Sequence, residues 1–388
     1  MKYAHLMKIS VEGNHNIEYK MRETADGNFT IEIASYGVAP VQSKRPMCLW
    51  DRTYNRKISE GYVDRAGYCT ISQTDKHLPI TDPEVARLWE ELNSYSREAI
   101  REHYEMSISD VSEAMLRDVE VLLKRLSEEN LPLEEFNNIL CRIFLIMPRR
   151  MKNVGSMIAL FEEDMPIIVE RENELFDIVK TQVMTENSVP GETILESLGL
   201  EIRSCTPAEE EQIKRHLHPI TRPLFSKAYR IKNMTTEKRF WNFYDRNGYT
   251  NENIHYYYHG SRNENWLSII NSGLKLSPKA TRTGSMFGPN LYTAPKSDKS
   301  QKYTSLKGSF WAHGISNKGF IAVYKVLYKN PRHIYHWDSS MPQISKKNIA
   351  PYDSLYCHGG PGLSLRNDEC VLPYEEQVTI QYLIELNT

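Results

Sequence analysis

Nowhere in its 388 residues does the sequence hold about 18 consecutive apolar residues, the length a helix needs to cross a bilayer. A membrane-spanning helix is therefore excluded. The opening Met1-Lys2-Tyr3-Ala4-His5-Leu6 runs into a polar segment and lacks the apolar core of a secretory signal. The expected location is intracellular, nuclear in a eukaryote and cytoplasmic in a bacterium. Cysteine is scarce: six, at positions 48, 69, 141, 205, 357 and 370, with no C-x-x-C pair. That argues against a disulfide framework and a zinc site and leaves reduced, mostly buried thiols. Cys357-His358 is the one adjacent metal-capable pair, and it lacks two further ligands at matching spacing, so no metal is expected. Neither sign of charge is in excess, since 48 Lys and Arg stand against 50 Asp and Glu for a net −2. A global polyanion-binding surface is ruled out, and any nucleic-acid contact must come from a local patch. The G-x-G-x-x-G fingerprint of a Rossmann dinucleotide site is also missing.

What is present is 40% apolar residues, enough for ordinary packed cores, and a length that suits two or three domains. Residues 1–78 read as a small β-rich module. Lys8-Ile9-Ser10-Val11 and Phe29-Thr30-Ile31-Glu32-Ile33 alternate in polarity and are broken by Ala25-Asp26-Gly27-Asn28, a hairpin signal. Pro46 to Trp50 and Tyr54 to Ile58 read as one short amphipathic helix, with an edge strand after Gly61-Tyr62. Lys44, Arg45, Arg52, Arg56, Lys57 and Arg65 gather here against Asp51, Glu60 and Asp64; such a run is either a solvated face or a phosphate-binding one.

Residues 79–190 read as an all-α bundle with an acidic exterior. Pro79 and Pro83 bracket a linker, and Thr81 or Asp82 can cap the helix that follows. Three stripes recur at helical spacing: Val85, Leu88, Trp89, Leu92; then Met115, Val119, Leu122, Leu123, Leu126; then Phe136, Leu140, Ile143, Phe144, Met147, stopped by Pro148. Further helices are expected at about 155–161 and 169–184. Val189-Pro190-Gly191-Glu192 marks the next boundary. Residues 191–388 mix helices with antiparallel-prone strands without regular strand–helix alternation, which is an α+β pattern.

In that last segment Ile254-His255-Tyr256-Tyr257-Tyr258-His259-Gly260-Ser261-Arg262 sets an aromatic-rich strand against a His-Gly-Ser turn. An imidazole donates and accepts hydrogen bonds, Gly260 lets a ligand approach bare backbone, and Ser261 adds a hydroxyl. Together they can grip a ribose and a carboxamide; the plainer alternative is a satisfied histidine at a strand end. Downstream follow Gly284-Ser285-Met286-Phe287-Gly288-Pro289-Asn290-Leu291-Tyr292, then Ser300-Gln301-Lys302-Tyr303, then Asn367-Asp368-Glu369-Cys370-Val371.

Taken in this order, the motifs of residues 195–388 resemble the catalytic domain of poly(ADP-ribose) polymerases, NAD-dependent ADP-ribosyltransferases with a His-Tyr-Glu triad. The resemblance implies a triad of His259, Tyr292 and Glu369, with NAD as co-substrate. It also implies that Tyr303 stacks on the nicotinamide, that Ser300 and Gly260 hold its carboxamide, and that Tyr292 lines the opposite side. His259 and Ser261 would then meet the adenosine ribose. Lys299 resembles a lysine that helps bind NAD or its acceptor, its alternative being a solvated surface charge. A glutamate at position 369 goes with polymer elongation in that family. Pro373 departs from the family's apolar strand by removing a ladder donor, so an early strand end or a bulge is expected.

Residues 1–78 resemble in layout the WGR domain, a nucleic-acid-binding module, although Tyr36-Gly37-Val38 stands where Trp-Gly-Arg is the family's rule. Arg52, Arg56 and Lys57 are then the candidate DNA contacts. Residues 79–190 take the place of a helical domain that, in the family, holds the NAD site closed until DNA is sensed. The implied activity is poly-ADP-ribosylation of protein acceptors, the chain itself included, in response to DNA breaks. A mono-ADP-ribosyltransferase and a catalytically weak NAD- or nucleic-acid-binding scaffold are the alternatives.

Overall fold

The computed structural model describes residues 1–10, 15–35, 38–68, 77–186, 191–276 and 286–388. Val11, Tyr36-Gly37, Cys69, Val189-Pro190 and Gly284-Ser285 lie outside the described residues. Internal contacts divide the chain into two units, one of residues 1–73 and 99–173, the other of residues 74–98 and 174–388.

The first unit opens with strands β1 (Tyr3–Ser10), β2 (His15–Glu23), β3 (Asn28–Ser35) and β4 (Val38–Pro46), then helix α1 (Trp50–Ser59) and strand β5 (Val63–Asp64). They form an antiparallel sheet in the order β4-β3-β2-β1-β5. The turn at Ala25–Gly27 joins β3 to β2, and β1 pairs on the far side of β2 with Leu6 opposite Tyr19. The period-2 pattern puts Leu6, Tyr19, Met21, Phe29 and Ile31 on one face, where Trp50 of α1 covers them.

Helix α2 (Pro83–His103) begins in the second unit and ends in the first. Helices α3 (Glu113–Glu128) and α4 (Leu133–Ile146) lie wholly in the first unit and bury the stripes seen in the sequence, with Ser112 capping α3 through its hydroxyl. No α-helix forms over residues 155–161, where the chain makes only a 3-10 turn at Val154–Ser156. There the Asn137 side chain takes both the N–H and the C=O of Ala159, at 3.0 and 2.9 Å, and Asp164 accepts from the N–H groups of Leu160 and Phe161. Those backbone groups are spent outside a helical ladder. Helix α5 (Met165–Glu186) therefore starts four residues earlier than its apolar stripe suggests, and it too passes from the first unit to the second.

The second unit continues through α6 (Ile194–Ser197), β6 (Leu200–Ser204), α7 (Pro207–His216), β7 (Phe225–Asn233), α8 (Met234–Arg246), β8 (Ile254–Ser261) and α9 (Trp266–Ser272). Then come β9 (Leu291–Thr293), α10 (Ser297–Gln301), β10 (Lys318–Leu327), β11 (Pro331–Ile334), β12 (Ser354–Cys357), β13 (Glu369–Leu372) and β14 (Val378–Asn387). One antiparallel sheet runs β6-β7-β14-β10-β8, and a smaller one runs β11-β12-β13-β9. The fold is mixed α+β. Its main core takes Val85, Leu88, Trp89 and Leu92 from the first half of α2 together with Tyr229, Trp266, Phe320 and Leu383. Each such side chain contributes roughly 1.5–3 kcal/mol on burial. Asp82 caps α2, accepting from Glu84 N–H at 2.9 Å, and Arg87 reaches the Tyr229 hydroxyl at 2.7 Å and Glu385 at 3.1 Å.

Candidate active site

Strand β8 is an edge of the larger sheet, and its register with β10 sets His259 opposite Ala322, Gly260 opposite Ile321 and Ser261 opposite Phe320. Its other side is tied to the smaller sheet by a pair of backbone bonds between Tyr258 and Ala294, at 2.8 and 2.9 Å. The motif pieces meet along this seam. His259 Nδ1 lies 3.0 Å from the Tyr292 carbonyl oxygen. A carbonyl only accepts, so the neutral ring carries its proton on Nδ1, and Nε2 is the accepting nitrogen. Trp266 and Tyr324 meet the ring edge-on.

Gly260 is glycine because of packing. A Cβ there would lie 1.9 Å from the backbone oxygen of Ser300, so the close approach is made by α10. That same oxygen accepts the Tyr303 N–H at 3.1 Å, which sets the turn that carries the Tyr303 ring. Ser300 is buried, and the Tyr303 ring lies nearly parallel to Trp311, centroids 6.3 Å apart. Ser261 Oγ accepts from the Asn265 amide at 3.2 Å. The Tyr292 hydroxyl donates to the Gly288 carbonyl at 2.8 Å and accepts from Phe287 N–H at 3.0 Å, so it braces the turn before β9.

Glu369 opens β13, whose pairing sets it opposite Cys357 and sets Val371 opposite Tyr292. Alternation along β13 places Glu369 and Val371 on one face, the face that Tyr292 shares. Pro373 does end this strand at Leu372. Lys299 is no solvated charge: its side chain is 12% exposed and its Nζ lies 2.5 Å from Glu369 Oε1 and 3.2 Å from the Asn367 carbonyl. The second carboxylate oxygen, Oε2, is buried and has no hydrogen-bond partner among the described residues. Burial raises the Glu369 carboxyl above its ordinary range, opposed by the Lys299 ammonium, and burial lowers Lys299, opposed by Glu369. Burial also pushes the Tyr303 phenol up, and the charge of Glu369 adds to it, so ring and carboxylate feel each other. Among the described residues no group of three or more His, Cys, Asp or Glu is arranged to hold a metal ion. Nor is any helix long and apolar enough to cross a membrane.

The basic residues of the first unit divide. Arg52 is exposed, and Arg56 Nε lies 3.6 Å from Glu60. Lys57 is drawn in, 15% exposed, with its Nζ 2.6 Å from Glu60 and about equally near the rings of Tyr19 and Tyr62, at 5.0 and 4.8 Å. Arg65 is buried and donates to the Ile146 carbonyl at 2.8 Å, so it forms no part of a basic surface.

Residues 209–348 match the family model of the poly(ADP-ribose) polymerase catalytic domain. Domains of this family are ADP-ribosyltransferases that use NAD as substrate. The matched segment holds His259, Gly260, Ser261, Tyr292, Lys299, Ser300 and Tyr303 and stops short of Glu369, which the β12–β13–β9 pairing brings to them. Over 183 residues the chain is 21% identical to the uncharacterized protein 101L of Invertebrate iridescent virus 6, a span of 47% of this chain and 77% of that protein. Over 70 residues it is 37% identical to poly [ADP-ribose] polymerase 2 of Homo sapiens, which is 18% of this chain and 11% of the human protein.

Several polar residues that sequence reasoning left unassigned sit among these transferase-like groups: Asn265 beside Ser261, Trp311 beside Tyr303, and the pair Asp298 and Asn367 beside Lys299 and Glu369. The two members of that last pair flank Lys299 and Glu369 in the sequence, which was the available signal.

Proposed function

We propose that this chain transfers ADP-ribose from NAD to protein acceptors, itself included, releases nicotinamide, and extends the product into polymer. The observation that carries the proposal is the unpartnered buried Oε2 of Glu369, whose carboxylate is near enough to Tyr303 for its charge to shift that phenol. A buried carboxylate oxygen without a donor is costly, and a ribose hydroxyl would relieve it. NAD fits the donor set: a flat ring against Tyr303, an amide near Ser300 and Gly260, and a ribose hydroxyl near His259 Nε2 and the Ser261–Asn265 pair.

In the reaction the bond between C1 of the nicotinamide ribose and the pyridinium nitrogen breaks, and its electron pair leaves with neutral nicotinamide. No acid is needed at that nitrogen. Glu369 supplies negative charge beside the cationic ribose, and it takes the proton of the acceptor hydroxyl as the new C1–O bond forms. Lys299 holds Oε1 and so leaves Oε2 to face the sugar. Tyr303 and Ser300 fix the leaving ring so that breakage and attack are in line.

We further propose that DNA breaks activate the chain, with residues 1–78 as the DNA-sensing module and 79–190 as its helical restraint. Support comes from the exposed Arg52 and the resemblance in domain order. Incubation with labelled NAD, with and without nicked DNA, followed by gel analysis tests both parts. A DNA-stimulated smear is expected; a single shifted band means mono-transfer, and no label means a scaffold.

A further inference from the structure

We infer that Asp298 and Asn367 form a positioning clamp for the transfer carboxylate. The inference rests on the proposal that Glu369 is that carboxylate. Consecutive residues of α10, Asp298 and Lys299, grip Asn367, two residues before β13, and Glu369, its first residue. Asn367 Nδ2 donates to Asp298 Oδ2 at 3.0 Å, Lys299 Nζ donates to the Asn367 carbonyl at 3.2 Å, and Lys299 Nζ pairs with Glu369 Oε1 at 2.5 Å. Asp298, Asn367 and Glu369 are 5%, 8% and 4% exposed, so these contacts are made away from water.

The backbone of Asn367 is boxed in on another side. A Cβ at Gly359 would come within 3.0 Å of the Asn367 Cα and carbonyl carbon. Asp368, between the clamp and the carboxylate, is pinned as well, accepting from Gly359 N–H at 2.7 Å and from the Tyr356 hydroxyl at 3.0 Å. At its first residue, next to Asp298, α10 is held where Ser297 Oγ accepts from His218 N–H at 2.9 Å. The chain on either side of the strand start is thus fixed, and Glu369 follows from a rigid base.

Stability alone is a poor account of Asp298. Its Oδ1 is buried with no hydrogen-bond partner among the described residues, and a half-satisfied buried carboxyl is expensive to keep. The Lys299 ammonium is paired with Glu369, and the other group near Asp298 is the His218 imidazole, whose Nδ1 lies 4.0 Å from Oδ2. Asp298 touches no reacting atom in this account. It acts through Asn367, setting where the carboxylate of Glu369 sits.

The test uses the full chain and reads kcat, KM for NAD, nicotinamide affinity and thermal unfolding. Misplacing a reacting group by an ångström costs on the order of 10²-fold. Asp298→Ala and Asn367→Ala should each lower kcat by about 10- to 100-fold, with nicotinamide affinity unchanged. Asp298→Asn keeps an oxygen that accepts the Asn367 N–H and should recover most of the loss. The double Ala variant should be little worse than either single one, because both remove the same bond. If the smaller side chain at 298 prevents folding, the comparison of Asp298→Asn with Asn367→Ala carries the test.

Unchanged kcat in the Ala variants overturns the clamp, as do losses that multiply independently or an Asp298→Asn variant as impaired as Asp298→Ala. Glu369→Gln in the same assay separates the two levels. If that variant transfers normally, the assignment of the carboxylate fails; if it is inactive while the clamp variants are normal, only the clamp fails.

Discussion

Lys299 Nζ contacts one oxygen of Glu369 at 2.5 Å and leaves the other without a partner among the described residues. The ammonium opposes the burial that raises the Glu369 carboxyl, and its one-sided position leaves Oε2 without a donor among the described residues. Structural ion pairs in protein interiors usually satisfy both oxygens, because a bare one forfeits hydrogen-bond energy. An unequal pair of this kind is what the catalytic role proposed for Glu369 requires.

Replacing Glu369 by Gln preserves shape and removes charge. Transfer and elongation should fall by about 10²–10⁴-fold, the usual worth of a general base, while NAD binding changes little. Polymer synthesis at the parental rate would falsify the catalytic role.

The pH profile should be squeezed from both sides. Glu369 must be ionised to act, and burial raises its pKa, so kcat should fall on acidification at a pH above the ordinary carboxylate range. Lys299 must be protonated to hold Oε1, and burial lowers its pKa, so the basic limb should come below the ordinary lysine range. Lys299→Met removes the stabilising cation: the acid limb should move further up and the basic limb should vanish. A profile of kcat against pH with both limbs unmoved in that variant rules the coupling out.

Tyr303→Ala should weaken nicotinamide and NAD together. The ring supplies stacking area worth about 0.5–1.5 kcal/mol beyond burial, so affinity should drop by roughly 2- to 10-fold or more. Calorimetry with free nicotinamide checks this, and an unchanged dissociation constant would mean the pocket lies elsewhere.

Gly260→Ala should disable the site without touching any catalytic group. The added methyl carbon would stand 1.9 Å from the Ser300 backbone oxygen, so α10 must move and carry Lys299, Ser300 and Tyr303 with it. Loss of nicotinamide binding with an otherwise folded protein is expected. Retained affinity would show that β8 and α10 are more yielding than their packing indicates.

The two kinds of basic residue on α1 should answer differently. Arg52→Ala with Arg56→Ala should weaken DNA binding and flatten its salt dependence, each lost phosphate contact removing a released counterion. Lys57→Ala should chiefly lower the thermal stability of the first unit, since its side chain is held by Glu60, Tyr19 and Tyr62. A gel-shift series over salt, run beside thermal unfolding, separates the two. A salt slope as altered by Lys57→Ala as by the arginine pair would return Lys57 to the phosphate contacts.

What was legible in the sequence was mostly local. The apolar stripe Met115, Val119, Leu122, Leu123 and Leu126, buried along α3, follows from residues one or two turns apart. The same holds for the aromatic-rich strand β8 and the stop at Pro373. The expected helix at 155–161 failed because the groups that compete for its backbone come from Asn137, 22 residues away. A stripe such as Val85, Leu88, Trp89 and Leu92 says that a face is buried and cannot say against what. Composition grouped it with the helices that follow, whereas its contacts are with Tyr229, Trp266 and Leu383. A cut at residues 79 and 189 would therefore remove part of the second unit's core. In the candidate site, His259, Tyr292, Ser300, Tyr303 and Glu369 are proposed from short motifs. Asp298 and Asn367 were passed over because their partnership spans 69 residues and neither type is distinctive alone.

The second unit is discontinuous in the chain, and this bears on how the protein is made. Arg87 and its partner Glu385 are separated by 298 positions. At synthesis rates of about 5–20 residues per second, roughly 15–60 s pass before β14 emerges from the ribosome to meet α2. Until β7 and then β14 emerge, the sheet that covers Val85, Leu88, Trp89 and Leu92 is absent or incomplete, and an apolar helical face left waiting is a target for chaperones and for aggregation. Yield from a slowed or stalled translation system should depend on those four side chains far more than on the apolar residues of α3 and α4, whose partners are each other and the already synthesised β1.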